Sequence, residues 1–178
     1  VGVFCAVAGV EPQSETVWRQ SERFSVPKLA FINKMDRPGA DFAAVLDALH
    51  TRLSANPVAL TIPWGQGDAF EAVLDVLREE RLDFDQADQG RTVTRRPWNE
   101  EERAFAAPWR ERALEKIAEA DEDFLDSYLG GEYTPEDVAA AVRRATLARN
   151  LTPTFCGSAL RNAGVQPVLD AVCDYLPA

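Results

Sequence analysis

A repeated pattern of short, unbroken apolar runs followed by amphipathic helical segments constrains the fold of this chain most strongly. Apolar runs occupy residues 3–7 and 29–32, and a proline typical of a first helical turn predicts a helix between them from residue 11. A second helix is predicted after residue 39, where apolar residues recur at helical spacing. The inward faces of these two helices are predicted to be Val17, Ser21 and Phe24, and Phe42, Val45, Leu46, Leu49 and Leu53. Strands that are apolar along their whole length are typical of a parallel sheet covered on both faces, so we predict an α/β fold.

The middle of the chain follows a different pattern. Alternating segments separated by turn residues predict a small, largely antiparallel sheet. These segments are residues 58–64, 69–77 and 92–95. Residues 97–147 are acidic and have helical spacing, with one helix predicted to end at Gly130-Gly131 and another to begin at Thr134. The middle of the chain is therefore predicted to be α+β.

The first pattern returns near residue 151. A strand is predicted at residues 151–156, followed by a turn of small residues and an amphipathic helix. We therefore predict that residues 1–56 and 151–178 form one parallel-sheet domain, and that residues 57–150 form a subdomain inserted into it.

Composition limits the classes of function. The 178-residue chain has a formal net charge of -10, so we expect no direct sequence-specific nucleic-acid binding, which rests on Lys and Arg. Its three cysteines fit neither a disulfide framework nor a zinc cluster. No apolar stretch approaches the roughly 18 residues of a membrane span, so we expect no membrane association and a soluble, cytoplasmic protein. A buried-strand pattern begins at Val1 without a preceding element, so we expect Val1 to be a cut end.

The segment Asn33-Lys34-Met35-Asp36 directly follows the second predicted strand. The carboxyl edge of a parallel sheet is where open α/β folds bind ligands. An ionised Asp36 carboxylate can accept both the N1–H and the 2-amino group of guanine, a donor pair that adenine lacks. Asn33 can donate towards guanine N7 or tie neighbouring loops together, and the aliphatic part of Lys34 can lie over the base. The alternative is a polar turn that follows a strand by chance.

A second loop, Gly157-Ser158-Ala159-Leu160, follows the last predicted strand. Its small residues are expected to leave backbone N–H groups free to approach guanine O6, so that the two loops enclose one base. Ser158 has an alternative role as the N-cap of the following helix. The candidate guanine-binding residues are Asn33, Lys34, Asp36, Ser158, Ala159 and Leu160.

Both loops lie within longer stretches of characteristic sequence. These stretches are Cys5-Ala6-Val7, Gly9-Val10-Glu11-Pro12-Gln13-Ser14-Glu15-Thr16-Val17-Trp18-Arg19-Gln20, Phe31-Ile32-Asn33-Lys34-Met35-Asp36-Arg37, Cys156-Gly157-Ser158-Ala159-Leu160 and Leu169-Asp170-Ala171-Val172-Cys173-Asp174-Tyr175-Leu176-Pro177. They resemble translation elongation factor G, as do Asp88-Gln89-Gly90 and Tyr128-Leu129-Gly130-Gly131-Glu132 in the middle segment. The resemblance covers effectively the whole chain. It implies the C-terminal part of a GTP-binding domain, a partial three-layer parallel sheet of the P-loop-GTPase type interrupted by an inserted subdomain.

The resemblance implies a GTPase that promotes translocation or recycling on the ribosome, with GTP or GDP and Mg²⁺ as cofactors. Phosphoryl transfer needs a glycine-rich loop ending in Lys and Ser or Thr, and the chain contains no Gly-x-x-x-x-Gly-Lys-Ser/Thr pattern. In the family those elements precede the position of Val1. We therefore expect no catalytic or metal-binding residues in this chain, weak nucleotide binding by the chain alone, and Mg²⁺ only in the parent protein.

The resemblance also implies a partner for the inserted subdomain. In the family, a helix of this subdomain contacts the ribosomal stalk protein, and the matching segment is residues 100–120. Its acidic residues include Glu101, Glu102, Glu111, Glu115 and Glu119, of which Glu101, Glu111, Glu115 and Glu119 are the candidate stalk contacts. The alternative is a solvated acidic helix face. The segment Pro63-Trp64-Gly65-Gln66-Gly67-Asp68 departs from the sequence expected of mainstream members, which leaves open a divergent paralogue.

Two other functions are compatible with the sequence. A stand-alone binding module would dock the ribosomal stalk protein through the insert and use the flanking α/β part as a scaffold, and retained guanine specificity separates it from a GTPase. An unrelated Rossmann-like enzyme would need a nucleophile or a metal site. His50 has no partner at a catalytic spacing and is expected at the surface, and Trp98 and Trp109 are expected to be packing residues.

Overall fold

The computed structural model describes all 178 residues and contains two four-stranded sheets. The first sheet comprises β1 (Gly2–Cys5), β2 (Ala30–Asn33), β3 (Pro57–Ala59) and β8 (Thr152–Cys156), and the second comprises β4 (Thr61–Trp64), β5 (Ala72–Asp75), β6 (Glu80–Phe84) and β7 (Val93–Pro97). The helices are α1 (Pro12–Arg23), α2 (Phe42–Leu53), α3 (Glu100–Ala120), α4 (Glu122–Gly130), α5 (Pro135–Leu147) and α6 (Val165–Tyr175). No helix combines the length and apolar character that crossing a lipid bilayer requires.

The first sheet is parallel throughout and has the strand order β1-β2-β8-β3. Its central pair aligns Ile32 of β2 with Cys156 of β8, and every residue of β8 is buried. Strands covered on both faces lack the alternation of a half-exposed strand, which explains the unbroken apolar run that leads into β2. The predicted α/β fold with a parallel sheet is confirmed.

The second sheet is antiparallel and lies within the predicted insert, so the change of pattern near residue 57 is confirmed. The predicted segment 58–64 is two strands rather than one, because β3 pairs in parallel with β8 while β4 pairs with β5. The sequence pattern does not predict β6. Its buried residues are only Leu82 and Phe84, and the charged residues beside them are partly exposed, so the strand carries little apolar signal.

One hydrophobic core of 41 buried residues runs through both sheets. Ile32 and Phe155 of the parallel sheet belong to it, as do Ile62 and Leu74 of the antiparallel sheet. Strand β3 carries the parallel sheet through Ala59, beyond the predicted boundary at residue 56. The division into residues 1–56, 57–150 and 151–178 stays a prediction, but the insert shares its core with the sheet that it interrupts.

Helix α1 does not bury its predicted face. Val17 and Phe24 are 59% and 77% exposed, whereas Trp18 is 4% exposed and packs against Phe4 with ring centroids 5.8 Å apart. Strand β1 is an edge strand, and Val3 is exposed there. The apolar spacing predicts the wrong face because β1 pairs with only one strand, so part of the apolar surface of α1 meets no partner.

The helical part of the insert follows the predicted boundaries. Helix α3 begins after Asn99, which forms a capping box with Glu102, and α5 begins after Thr134, which forms one with Asp137. Helix α4 ends with Gly131 in the left-handed conformation, at φ 74°. Local capping chemistry therefore determines where these helices begin and end.

Trp98 and Trp109 of the insert are packing residues, as predicted. Trp98 is buried and donates from Nε1 to the Glu80 carbonyl at 3.0 Å. Trp109 packs against Phe42 with ring centroids 5.6 Å apart, which joins α3 to α2. His50 is exposed near the end of α2.

Glu102 is a buried carboxylate in the first turn of α3. Arg81 of β6 donates to it at 2.9 Å, Arg96 of β7 donates at 2.8 and 2.9 Å, and the Asn99 N–H donates at 2.9 Å. Burial alone would raise the pKa of Glu102, but these hydrogen bonds and the adjacent positive charge together lower it to about 2. Glu102 therefore joins α3 to two strands of the antiparallel sheet and is not part of an exposed acidic surface.

We predict that Glu102→Ala destabilises the protein by about 3 kcal/mol, because Arg81 and Arg96 lose a shared, buried partner. The exposed neighbour is the control, since Glu101→Ala should change the free energy of unfolding by less than about 0.5 kcal/mol. Urea unfolding at neutral pH measures both variants.

Comparison of the wild type with Glu102→Ala also gives a pH prediction. Because the pKa of Glu102 is lowered, its contribution to stability is complete above its ordinary value of 4.5 and is lost as the pH falls from there to about 2. The unfolding free energies of the wild type and Glu102→Ala should therefore converge in acid. A constant difference between them across this range would contradict the assignment.

Candidate functional site

Two loops leave the parallel sheet at the same edge. The first loop, residues 33–37, follows β2, and the second loop, residues 157–163, follows β8. Because β2 and β8 are hydrogen-bonded neighbours, the loops begin side by side, although Asn33 and Ala159 are 126 positions apart in the chain. The structure thus brings the two predicted loops together.

Asn33 joins the two loops. Its Oδ1 accepts from the Lys34 N–H at 2.8 Å and from the Ala159 N–H at 2.9 Å. The Met35 N–H also donates to the Gly157 carbonyl at 3.1 Å, and the Met35 side chain is fully buried. Of the two roles predicted for Asn33, the tie between loops is confirmed, whereas donation to a base stays a prediction.

Asp36 is half-buried at the end of the first loop and faces an arginine that the sequence analysis missed. The Arg161 Nε lies 3.2 Å from Asp36 Oδ2, and the two side chains are 42% and 15% exposed. Lys34 is exposed and has a left-handed backbone, at φ 66°. The signal that could have identified Arg161 is a basic residue directly after Gly-Ser-Ala-Leu, in a loop predicted to face an aspartate.

The second loop is a closed turn stabilised by Ser158. The Ser158 N–H and carbonyl pair with Ala163 at 2.8 and 2.9 Å, and the buried Ser158 hydroxyl accepts from the Arg161 N–H at 3.4 Å. The N-cap of the last helix is Gly164. The alternative role of Ser158 as that N-cap is therefore wrong.

The backbone N–H groups of the second loop are less free than predicted. The Ser158 N–H donates to Ala163, and the Ala159 N–H donates to Asn33, because a short loop at a sheet edge pairs most of its own polar groups. The Leu160 N–H makes no hydrogen bond within the chain, and the Leu160 side chain is 94% exposed. A guanine O6 would therefore meet one free N–H at Leu160 and one shared N–H at Ala159.

A cleft of about 350 Å³ lies beside the first loop and carries positive charge. Lys34 and Arg37 line it together with Cys5 at the end of β1. Burial raises the pKa of the Cys5 thiol, but hydrogen bonds from the backbone N–H groups of Ala8 and Val7 and the charges of Lys34 and Arg37 lower it overall. Glu11 also lines the cleft, so two cationic side chains and one carboxylate face it.

A preassembled cluster of metal-ligating side chains is not present in the structure. No group of three or more His, Cys, Asp or Glu side chains is placed to hold a metal ion. Mg²⁺ is held in proteins by carboxylate oxygens, substrate phosphates and water. We assign no metal ligand to the chain.

The four candidate partner residues of α3 lie on one exposed face. Since an α-helix turns roughly 100° per residue, their positions fall within about 80° of arc. None of them forms an ion pair within the chain, whereas the arginines at 103 and 110 on the same helix both pair with Glu79. These four residues, which we call the acidic face, are Glu101, Glu111, Glu115 and Glu119.

Comparison with known proteins gives consistent matches. The sequence model of the elongation factor Tu GTP-binding domain family matches residues 1–178. Elongation factor G of Salinibacter ruber is 48% identical over 180 residues, which cover 100% of this chain and 26% of that protein. A crystal structure of a protein from Thermus thermophilus has a TM-score of 0.85 and 28% identity, over 98% of this chain and 26% of that one. The chain thus spans about a quarter of the length of these relatives.

We predict that Asn33→Ala loosens the second loop, because the Ala159 N–H loses its acceptor. Hydrogen exchange at the Ala159 amide should accelerate by about tenfold, the equivalent of one lost hydrogen bond of about 1 kcal/mol or slightly more. Asn33→Asp keeps an acceptor oxygen and is the matched control. Equal exchange rates in the wild type and Asn33→Ala would show that Asn33 does not hold the loop.

Proposed function

The chain belongs to the elongation factor Tu GTP-binding domain family, and from this premise we propose that it is the guanine-recognising half of a ribosome-dependent translational GTPase similar to elongation factor G. The observation that carries this proposal is the meeting of two loops at the carboxyl edge of a parallel sheet, with Asp36 on one loop and Leu160 on the other. Ligands bind at this edge in open α/β folds.

Each loop residue has a role in base recognition under this proposal. Asp36 accepts the N1–H and the 2-amino group of guanine, and Arg161 orients that carboxylate from its Oδ2 side. The exposed Leu160 side chain and the stem of Lys34 cover the two faces of the base. Ser158 shapes the second loop from inside, as its hydroxyl is buried.

Hydrolysis of GTP requires groups that residues 1–178 do not contain. A phosphate-binding loop of the form Gly-x-x-x-x-Gly-Lys-Ser/Thr is absent from them, and they contain no cluster of three or more His, Cys, Asp or Glu side chains that could hold a metal ion. We propose that the complete protein uses GTP with Mg²⁺ in translocation or ribosome recycling in the cytoplasm. The chain alone is then a base-recognition unit without catalytic activity.

The acidic face is proposed to dock the ribosomal stalk protein. Support comes from the exposure of its four glutamates, their common face and their lack of ion pairs within the chain. Arg112 is also exposed beside these glutamates, but the surface keeps an excess of negative charge, which attracts a basic partner and raises its association rate. Membership of a translation factor family makes a ribosomal protein the natural partner of this surface.

Asp36→Asn in the complete protein tests base recognition. The variant should bind GDP at least about tenfold more weakly and should prefer xanthosine diphosphate, whose C2 carbonyl accepts from the new amide. Asp47→Asn, at an exposed position on α2, is the matched control and should keep guanine preference. Isothermal titration with both nucleotides measures this, and an unchanged preference in Asp36→Asn would refute the assignment.

A charge-matched pair of triple variants tests the partner surface. Replacing Glu111, Glu115 and Glu119 with glutamine should lower the affinity for the stalk protein by about fivefold or more and flatten its salt dependence, because the attracting charge is removed. A second triple variant with the same net charge, made at other exposed glutamates of the insert, should bind like the wild type. Its positions are Glu122, Glu132 and Glu136. If the two triple variants bind the stalk protein equally tightly, the acidic face is a solvated surface and not the docking site.

A further inference from the structure

A turn of the insert, residues 85–92, packs against the backbone of the second loop. Gly90 lies at the contact with φ +76°, and a Cβ added there would lie 2.7 Å from the Arg161 carbonyl oxygen and 2.8 Å from the Asn162 carbonyl oxygen. Those atoms belong to the main chain, so they cannot move aside as the end of a flexible side chain can. The 85–92 turn and the second loop therefore fix each other's position at this point.

Two side-chain hydrogen bonds also hold the 85–92 turn in place, one donated by the turn and one accepted by it. Gln86 Nε2 donates to the Arg161 carbonyl at 3.2 Å, and Gln166 Nε2 at the start of α6 donates to the Gly90 carbonyl at 3.4 Å. The other end of that amide, Gln166 Oε1, is buried without any partner. The side chain thus leaves one acceptor unpaired while it holds the 85–92 turn.

The 85–92 turn is itself well braced. The Gly90 N–H donates to the Asp85 carbonyl at 2.7 Å, and the Asp88 carboxylate accepts from the N–H groups of Arg91 and Thr92 at 2.9 and 3.0 Å. The Thr92 hydroxyl also donates to Asp88. A turn with this many internal hydrogen bonds transmits a displacement rather than absorbing it.

The residues that Gly90 contacts lie next to the groups proposed to read the base. Arg161 pairs with Asp36 at 3.2 Å, and the Asn162 N–H donates to the Ala159 carbonyl at 3.1 Å. A shift of the main chain at Arg161 and Asn162 would therefore move both Asp36 and Ala159.

A second turn of the insert, residues 65–70, contacts the first loop in a similar way. The Gly67 N–H donates to the Met35 carbonyl at 2.8 Å, and Gln66 Oε1 accepts from the Phe42 N–H at the start of α2 at 2.8 Å. The insert therefore touches both loops of the site, each through a glycine-containing turn.

We infer that the insert holds the two loops in their base-reading positions, and that Gly90 is a positioning residue for guanine recognition. Gly90 acts through Arg161 and Asn162 and does not touch the base. This inference rests on the proposed function, since it assigns a further residue to the same site. Movement of the insert would then change guanine affinity through this contact.

Gly90→Ala in the complete protein is the test, with Gly131→Ala as its matched control. Gly131 has nearly the same φ, +74°, but an added Cβ there would meet nothing within 4 Å. Both variants therefore place a Cβ at a positive φ, and only Gly90→Ala adds the clash with the second loop. The measured quantities are the dissociation constants of GDP and of inosine diphosphate, which lacks the 2-amino group that Asp36 is proposed to bind.

Gly90→Ala should weaken GDP binding by about tenfold or more, because small misplacements of positioned groups cost that much, and should bring the GDP and inosine diphosphate constants closer together. Gly131→Ala should keep the wild-type ratio. A purely structural role for Gly90 would lower the melting temperature without changing this ratio, and that result would overturn the inference.

Gln86→Ala tests the inference if Gly90→Ala does not fold. Gln86 is exposed, and its truncation leaves the main chain intact while it removes the bonds to the Arg161 and Phe84 carbonyls. Of these two bonds only the one to Arg161 reaches the second loop, and the GDP preference should fall by about threefold. An unchanged ratio in Gln86→Ala would overturn the inference. A wild-type protein that shows no preference for GDP over inosine diphosphate would instead overturn the proposed function itself, and this inference with it.

Discussion

The parallel pairing of β2 with β8 is the interaction on which the rest of the site depends. It aligns Ile32 with Cys156 and so starts two loops side by side that are far apart in the chain. Asn33 then uses one side-chain oxygen to bind both its own loop and Ala159 of the other. The buried Met35 anchors the same junction through Gly157. Without the pairing of these two strands, the two loops would not lie beside each other.

The insert is built into this arrangement rather than attached to its edge. It enters through β3, which pairs with β8, and its core is continuous with the core of the parallel sheet. Its helix α3 is tied to its own sheet by the buried Glu102 and two arginines. Through two turns it also reaches both loops of the site. The insert therefore connects an exposed acidic helix to the loops through continuous packing.

Short sequence patterns predict the helices and strands whose formation depends on residues close together in the chain. The start of α5 at Thr134 is readable because its capping residue bonds within three positions of itself, and β8 is readable because β-branched and aromatic residues favour strands. Strand β6 is missed because it buries only two residues. The face of α1 is mispredicted because Trp18, rather than Val17 or Phe24, meets a neighbour.

By itself, the sequence determined the α/β pattern, the interruption by an insert and the two loops with Asn33, Asp36 and Leu160, since these follow from hydrophobic spacing and from the chemistry of short motifs. Only the tertiary structure decided that Arg161 faces Asp36 and that Gly90 packs on the second loop. Such contacts join residues far apart in the chain, and their geometry depends on how the two sheets pack. A pattern that repeats over a few residues carries no information about that packing.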